Sequence, residues 1–168
     1  TPSNSSAASD VYKRQGMPSV SDPGEDLAAR CAELGIEMSA VPGPSAVVTA
    51  LALSALPSGR FCFEGFLSTS GRSRREHLES LRGERRTMIF YEAPHKLVKT
   101  LEDLAAAFGA ERRVALCREM TKMHEEVIRT TLGGALAMYA ETPPRGEFVL
   151  VIDLSLIHIS EPTRHAQI

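Results

Sequence analysis

The feature that most constrains the fold is the alternation of short apolar runs with amphipathic stretches along the chain. Residues 87–91 form a continuous apolar run, which is typical of a strand buried on both faces. The stretch that follows, Pro94–Phe108, has the spacing of an amphipathic helix and is closed by Gly109. Its apolar stripe consists of Leu97, Leu101, Leu104 and Phe108. Strands that alternate with helices in this way predict an α/β protein.

The same patterns predict elements along the rest of the chain. Asp22 and Pro23 are expected to begin a first helix that ends at Gly35. Its expected buried stripe consists of Leu27, Cys31 and Leu34. Further strands are predicted at residues 36–41, 61–66, 114–117, 126–130 and 147–152, and further helices at residues 45–53, 73–82 and 134–140. The half up to about residue 54 is therefore predicted to be parallel and built from crossovers, and the strands after it indicate a second sheet.

Composition and charge exclude several classes of protein. The 168 residues are 43% hydrophobic and 24% charged, and the net charge of −2 means that a nucleic acid would need a local basic patch. No apolar run reaches the roughly 18 residues of a membrane span, so no membrane partner is expected. The three cysteines are far apart and odd in number, which argues against a disulfide framework and predicts a protein of the reducing cytoplasm. Neither the cysteines nor His77 and His124 have the spacing of metal ligands, so no metal site is expected.

Three loops rich in glycine and proline lead into predicted helices. They span residues 16–24, 42–46 and 91–95. In open α/β sheets ligands bind beyond the carboxyl ends of strands, where glycine allows close approach of the backbone and proline stiffens the loop. The loops therefore predict a ligand site, and ordinary turn chemistry is the alternative for each of them. No GxGxxG or Walker sequence is present, and Ser45 lacks the G-x-S-x-G context of a hydrolase nucleophile.

Two clusters of charged residues are further candidates. R-E-M-T-K at residues 118–122 follows a predicted buried strand, with H-E-E just beyond it. An acid, a base and a hydroxyl in one loop could position a substrate hydroxyl and accept its proton, and a solvated loop is the alternative. Residues 72–86 contain six arginines and three glutamates. This second cluster could meet phosphates, and a solvated helix face is the alternative.

Six motifs occur in order across residues 16–152 and carry a family resemblance. They are G-M-P-S-V-S-D-P-G, V-P-G-P-S-A, L-P-S-G-R-F-C-F-E-G-F-L, R-R-T-M-I-F-Y-E-A-P-H-K, L-C-R-E-M-T-K-M-H-E-E and R-G-E-F-V-L-V-I. Together they resemble the ribosomal RNA small subunit methyltransferase I family of the tetrapyrrole methylase superfamily. The resemblance implies two α/β domains with a cofactor cleft between them. It also implies a homodimer that transfers a methyl group from S-adenosylmethionine to the ribose 2′-hydroxyl of a cytidine in 16S rRNA.

The same resemblance implies which residues lie near the cofactor and the substrate. From the N-terminal domain they are Gly16, Pro18, Val20, Ser21, Pro44, Ser45 and Ala46. From the C-terminal domain they are Phe66, Leu67, Tyr91, Glu92, Ala93, Gly146 and Glu147. Met17 departs from the threonine usual in the family, and Lys96 stands where arginine is frequent, which keeps the charge without the planar fork. For catalysis we expect Glu119, Lys122 and Glu125 near the hydroxyl, with Lys122 as its proton acceptor.

The two ends of the chain differ from its middle. D-V-Y-K-R-Q at residues 10–15 and S-L-I-H-I-S-E-P-T-R at residues 155–164 resemble translated sequencing adapters, with frayed native termini as the alternative. The family's first strand and its glycine-containing cofactor loop would precede Gly16. We therefore expect non-native tails at residues 1–15 and 155–168, the remainder of an N-terminal α/β domain at residues 16–57, and a C-terminal α/β domain at residues 58–154.

Two alternative functions stay open on the sequence. A chain without the family's first strand is expected to bind S-adenosylmethionine weakly or not at all, and could then serve only in dimerisation or RNA binding. A methylase of the same superfamily could instead act on a tetrapyrrole or another small molecule. The Y-E-A-P-H and R-E-M-T-K segments and the arginine cluster favour RNA of the small ribosomal subunit.

Overall fold

The computed structural model describes residues 16–22 and 24–153, so both predicted non-native tails lie outside the described residues. The chain divides into two compact units, Thr1–Thr49 and Ala50–Ile168. The division falls inside a helix, and the domain limits expected at residues 57 and 58 stay a prediction. In the described part of the chain, no helix is both long and apolar enough to cross a membrane.

The first unit contains helix α1, Glu25–Glu33, and the start of helix α2, Ala46–Ser54. The end of α1 follows the prediction, because Gly35 adopts a left-handed φ of +64° and its N–H bonds back to the Ala32 carbonyl. The predicted start is wrong, since the N-cap is Gly24 and not Asp22. Gly24 has a φ of +137° and its carbonyl accepts the first bond of the helix, from the Ala28 N–H.

Two further predictions for the first unit are wrong. Residues 36–41 form no strand, and no residue of the α1 stripe is buried, since Leu27 is 69% exposed, Leu34 is 56% exposed and Cys31 is half-buried. Periodicity predicts which side chains would face a neighbouring layer, but burial requires that the layer be present. Among residues 16–22 and 24–49 no strand supplies such a layer, so the predicted parallel sheet is not found there.

The second unit is built on a mixed five-stranded sheet. Its strands are β1 (Phe61–Phe66), β2 (Thr87–Glu92), β3 (Arg113–Arg118), β4 (Glu126–Thr131) and β5 (Phe148–Ile152), in the spatial order β1-β2-β5-β3-β4. β1 and β2 are parallel, and the other neighbouring pairs are antiparallel. Helices α3 (Gly71–Ser80), α4 (Pro94–Phe108) and α5 (Leu132–Glu141) lie between consecutive strands in the chain. Each of these elements corresponds to a predicted one, which confirms the α/β class.

The sheet and its helices enclose one apolar core. β5, with the sequence F-V-L-V-I, is the central strand, between β2 and β3, and it is buried along its whole length. Leu97, Leu101 and Leu104 of α4 are fully buried, as their spacing predicts. Burial of such a side chain stabilises the fold by roughly 1.5–3 kcal/mol. The fourth member of the stripe, Phe108, is partly buried against the same core.

The register of the sheet aligns the ends of its strands. Glu92 of β2 and Arg118 of β3 both pair with Phe148, the first residue of β5. The last residues of β2 and β3 therefore lie beside the first residue of β5, and β1 runs parallel to β2. We call this edge, at the carboxyl ends of β1, β2 and β3, the site edge. The loops after these three strands and the loop before β5 all meet the sheet there.

Candidate functional site

A lysine and two glutamates meet at the site edge. Lys122 Nζ donates to Glu119 Oε1 at 3.0 Å and to Glu147 Oε2 at 2.9 Å. Glu119 follows β3 and Glu147 precedes β5, so two neighbouring strands bring distant parts of the sequence together. The backbone joins the same segments, because the Glu147 N–H donates to Glu119 Oε1 at 2.8 Å and the Glu119 N–H to the Glu147 carbonyl at 3.0 Å. We call Glu119, Lys122, Glu125 and Glu147 the strand-end cluster.

Glu125 belongs to the cluster through the backbone of the loop between β3 and β4. Its carboxylate accepts from the Thr121 N–H at 2.6 Å, and its own N–H donates to the Lys122 carbonyl. The loop contains two left-handed residues other than glycine, Glu119 with a φ of +49° and Thr121 with a φ of +64°. Such residues cost free energy and persist where other contacts hold them, often at functional sites. The structure thus brings the three residues predicted for catalysis into one ordered loop.

Gly146 allows the closest approach within the cluster. Its φ is +81°, and a Cβ added there would lie 2.4 Å from Glu119 Cγ. An L side chain at this position would meet both backbone strain and a steric clash. The absence of a side chain at Gly146 therefore makes room for Glu119 beneath the segment that carries Glu147.

The four side chains of the strand-end cluster carry a net negative charge, since two carboxylates contact one ammonium group and Glu125 adds a third carboxylate in the same loop. The carboxylates of Glu147 and Glu119 raise the pKa of Lys122 through their hydrogen bonds. The Glu147 N–H and the Lys122 ammonium lower the pKa of Glu119. Lys122 is therefore held in its charged form at neutral pH, while about half of its side chain is open to solvent. The surplus negative charge favours a cationic ligand.

The turn after β2 brings backbone groups to the site edge but keeps the Glu92 carboxylate inside. Glu92 is only 3% exposed. Its Oε1 accepts from the Ala93 N–H at 2.9 Å and its Oε2 from the Thr100 hydroxyl at 2.5 Å. Both carboxylate oxygens are therefore bonded to groups of the protein, so Glu92 supports the turn from within.

Aromatic rings line the same edge where β1 ends. Tyr91 packs edge-on against Phe63 and Phe66, with ring centroids 4.9 and 5.6 Å away. Phe66 is 56% exposed, whereas Leu67 is 4% exposed and belongs to the core. Of this predicted pair, Phe66 offers apolar surface to a ligand and Leu67 holds the strand end in place.

In the first unit, the loop at residues 16–22 lies against the turn at residues 42–45. The Met17 N–H donates to the Pro44 carbonyl at 3.0 Å, and the Gly43 N–H donates to Met17 Sδ at 3.3 Å. A Cβ at Gly16 would lie 2.8 Å from the Pro44 oxygen, so this contact requires glycine. Met17, in the position where the family usually has threonine, thus joins the two loops through both its backbone and its side chain.

The other residues predicted for this unit occupy the same two loops. Ser19 and Ser21 have left-handed φ values of +71° and +52°, and Val20 between them is 42% exposed. Ser45 precedes α2, and its carbonyl accepts from the Thr49 N–H in the first turn. The contacts between the two loops involve Gly16, Met17, Gly43 and Pro44. A ligand-binding role stays a prediction for the whole set, which consists of Gly16, Pro18, Val20, Ser21, Pro44, Ser45 and Ala46.

The arginine cluster is less positive than its sequence indicates. Four of its arginines have carboxylate partners, and one partner, Asp103 of α4, lies far along the chain. Local counting of charges could not find that pair, because it depends on the packing of α3 near α4. The pairs are Arg72–Glu76, Arg74–Asp103, Arg82–Glu79 and Arg86–Glu84.

A cavity beside the strand-end cluster was not predicted. It has a volume of about 490 Å³, and its lining includes Arg118 and Arg145, the neighbours in sequence of Glu119 and Gly146. Tyr139 of α5 also lines it and packs edge-on against Phe148, with ring centroids 5.9 Å apart. The sequence signal was the presence of an arginine in each of the two motifs that form the cluster. Among residues 16–22 and 24–153, no three His, Cys, Asp or Glu side chains are placed to hold a metal ion.

A family of known proteins matches most of the chain. The sequence pattern of the Tetrapyrrole (Corrin/Porphyrin) Methylases matches residues 8–136. A Synechocystis sp. protein named Ribosomal RNA small subunit methyltransferase I is 50% identical over 137 residues, which cover 82% of this chain and 49% of that protein. A protein of the same name from Mycobacterium bovis is 42% identical over 165 residues, which cover 98% of this chain and 58% of that protein. The chain thus spans about half the length of the curated relatives it matches.

Solved structures share the fold. The methyltransferase CobJ gives a TM-score of 0.63 at 22% identity and covers 88% of this chain and 65% of its own. A uroporphyrin-III C-methyl transferase from Thermus thermophilus, solved in complex with S-adenyl homocysteine, gives 0.54 at 16% identity over 82% of this chain and 62% of its own. At these identities the similarity is one of fold alone.

Proposed function

The chain belongs to the tetrapyrrole methylase family, and on that premise we propose that a full-length protein that contains this segment transfers a methyl group from S-adenosylmethionine to the ribose 2′-hydroxyl of a cytidine in 16S rRNA. The observation that carries the proposal is the strand-end cluster, where an ammonium group and carboxylates meet at one sheet edge of a methylase fold. Relatives that are 42% and 50% identical are named for rRNA of the small subunit, which favours RNA over a tetrapyrrole. The choice of a cytidine rests on the resemblance of the six motifs.

S-adenosylmethionine supplies an electrophilic methyl group on a positively charged sulfur. The residues present fit such a molecule, because the strand-end cluster has surplus negative charge and Phe66 offers an exposed ring at the same edge. In the first unit, the loop at residues 16–22 contains two left-handed serines, Ser19 and Ser21, and is bonded through the Met17 N–H to the Pro44 carbonyl in the turn before α2. Displacement at a sulfonium carbon needs no metal ion, so the proposal includes none.

We assign the ribose proton to Lys122. As the bond from the 2′-oxygen to the methyl carbon forms and the bond from carbon to sulfur breaks, the hydroxyl proton passes to Nζ of Lys122 in its amine form. Glu119 and Glu147 hold Nζ in place, and Glu125 fixes the loop that carries it. Because the carboxylates raise the pKa of Lys122, only a small share of this lysine is in the amine form at neutral pH.

We propose that the cavity lined by Arg118, Tyr139 and Arg145 binds the part of the RNA that adjoins the target nucleotide. Arg118 is paired with Glu126 at 3.0 Å, while no ion pair of Arg145 is found within the described residues. The Arg145 guanidinium can therefore meet a phosphate, and the Tyr139 ring can meet a base. A flexible single-stranded segment suits such a cavity, since unstacked bases are what proteins read in RNA.

The proposed assembly is a homodimer that acts on the small ribosomal subunit in the cytoplasm. This part rests on the family resemblance and on the nature of the proposed substrate. Light scattering of a full-length protein that contains this segment should give twice the mass of its chain. A monomer that methylates RNA at the normal rate would contradict the dimer.

Mapping of the transferred methyl group tests the proposed function. A full-length protein that contains this segment would be incubated with radiolabelled S-adenosylmethionine and with small subunits that lack the modification. The label should appear on one cytidine whose 3′ phosphodiester resists alkali, because a methylated 2′-oxygen cannot attack it. In a parallel incubation, a tetrapyrrole replaces the small subunits. Label on the tetrapyrrole alone would favour the small-molecule alternative, and no label in either incubation would leave a non-catalytic role.

A further inference from the structure

A line of hydrogen bonds runs from α3 across α4 to the site edge. Arg74 donates from Nε to Asp103 Oδ2 at 2.6 Å and from Nη2 to Thr100 Oγ1 at 2.8 Å. Thr100 Oγ1 lies 2.5 Å from Glu92 Oε2, and Glu92 Oε1 accepts from the Ala93 N–H at 2.9 Å. The line thus connects a guanidinium on one helix with the turn that follows β2.

The chemistry of the groups fixes the direction of each bond. A guanidinium only donates, so the Thr100 oxygen accepts from Arg74 and its single hydrogen is left for Glu92. A carboxylate only accepts, so Glu92 receives from Thr100 on one oxygen and from the Ala93 N–H on the other. Thr100 is the one group in this line that both accepts and donates a hydrogen bond, and it links the Arg74 guanidinium to the Glu92 carboxylate.

Burial makes these bonds costly to lose. Thr100 is fully buried, Glu92 is 3% exposed and the Arg74 side chain is 13% exposed. A carboxylate removed from water is destabilising unless donors and a nearby cation compensate it. Glu92 is one of the residues that the family resemblance places near the cofactor, yet its carboxylate lies inside the protein.

Glu92 also provides a hydrogen-bond acceptor at the start of α4. Ala93 is the N-cap of α4, and the helix has no side-chain cap there. An uncapped helix start leaves backbone N–H groups without partners. The Glu92 carboxylate supplies an acceptor to the Ala93 N–H, so its position sets the path of the chain from β2 into α4.

We propose that Arg74 and Thr100 are positioning residues: they hold the Glu92 carboxylate against α4 and thereby set the turn at residues 91–93 at the site edge. Glu92 then acts through the backbone of this turn and does not touch the ligand. The identity of that ligand, S-adenosylmethionine, rests on the proposed function, whereas the positioning does not.

Replacement of Thr100 tests this inference. T100V keeps the shape of the side chain but removes the hydroxyl, T100S keeps the hydroxyl, and R74K keeps the charge without the fork. T87V is the matched control, because Thr87 is also a buried threonine and its hydroxyl donates to the Pro57 carbonyl at 2.6 Å, at the opposite end of β2. Amide hydrogen exchange of Ala93 is measured in the 168-residue chain.

T100V and R74K should raise the exchange rate of the Ala93 amide about tenfold, while amides of β5 change no more than in T87V. In a full-length protein that contains this segment, T100V should raise the KM for S-adenosylmethionine about tenfold with little change in kcat. T100S keeps the hydroxyl, so its Ala93 exchange rate and its KM for S-adenosylmethionine should stay close to those of the unmodified protein. A general loss of stability at residue 100 would not explain this difference between T100S and T100V.

Three results separate the possible failures. Unchanged exchange at Ala93 in T100V, or an equal rise in T87V, overturns the positioning role. Faster exchange with an unchanged KM for S-adenosylmethionine overturns its link to the site. If the unmodified protein does not use S-adenosylmethionine, the proposed function fails, and Ala93 exchange still decides whether Arg74 and Thr100 position the turn.

Discussion

At the scale of single residues, the proposed chemistry depends on how two carboxylates act on one lysine. Glu147 and Glu119 raise the pKa of Lys122, and the same contacts hold its Nζ at a defined place. The ion pairs therefore favour a fixed orientation of the Lys122 side chain but disfavour the amine form that would accept the ribose proton. A base held mostly in its protonated form gives a rate that increases with pH until its pKa is reached.

Methylation should accordingly depend on pH. Between about pH 7 and pH 9 the single-turnover rate should rise close to tenfold per unit, because the amine fraction of Lys122 rises by that factor below its pKa. E119Q removes one of the carboxylates that raise the pKa of Lys122. The pH–rate profile of E119Q should therefore move to lower pH, and its rate near neutral pH should be higher than that of the unmodified protein. A flat profile for both proteins would contradict proton acceptance by Lys122.

Gly146 gives a prediction for stability. G146A would introduce a Cβ 2.4 Å from Glu119 Cγ at a φ of +81°, and should lower the free energy of unfolding by about 1–3 kcal/mol. G83A is the control, since nothing lies within 4 Å of a Cβ at Gly83. Urea titration of both variants measures the difference. Equal midpoints for G146A and G83A would show that the close approach is absent.

At the scale of elements, the second unit was predictable because its patterns are local. The apolar stripe of α4 and the apolar run of β2 each predict from local spacing which side chains are buried, and those side chains are buried in the structure. The stripe of α1 has the same periodicity, yet Leu27 and Leu34 are exposed, since a pattern cannot supply the layer that would cover it. The strand expected at residues 36–41 fails for the same reason.

The contact between α3 and α4 gives a prediction for acid stability. Burial raises the pKa of Asp103, but the hydrogen bonds from Arg74 and Lys99 outweigh it and the pKa is lowered. A lowered pKa adds stability above the ordinary carboxyl pKa of about 3.9, and this stability is lost as the pH falls through the folded value. D103N should therefore reduce the free energy of unfolding by about 1–2 kcal/mol at neutral pH and by less below about pH 3.

The exposed pair Arg72–Glu76 on α3 supplies the control for this experiment. E76Q removes a carboxylate whose side chain is 62% exposed, and such pairs contribute little to stability. Urea titrations at several pH values should separate the two variants at pH 7 and bring them together in acid. A difference that does not change with pH would contradict the role of the Asp103 charge.

At the scale of the whole molecule, sequence motifs named the residues of the site, and the sheet register explains why they meet. R-E-M-T-K begins at the last residue of β3 and R-G-E directly precedes β5, and no local pattern shows that these two strands are neighbours. The cavity lined by Arg118 and Arg145, and the bond from Arg74 to Thr100, depend on packing between distant segments. Those features could not be predicted from spacing along the chain.

Binding of the small subunit tests the RNA side of the account. R145E should weaken binding about tenfold at low salt and reduce the slope of log K against log salt by about one, because one phosphate contact is lost. Affinity for S-adenosylmethionine should not change. R30E, at an exposed arginine paired with Glu33, is the control, and an equal loss in R30E would point to general repulsion.

Single-turnover methylation of small subunits tests the central claim, that the strand-end cluster is where the methyl group is transferred. The comparison is between K122A and K99A in a full-length protein that contains this segment. Lys99 is a matched control, since it also has two carboxylate partners, Glu102 and Asp103, and a raised pKa. K122A should lower the rate at least about 100-fold, and K99A should leave it nearly unchanged. A K122A protein that methylates at the normal rate, or a K99A protein that loses as much, would contradict the claim.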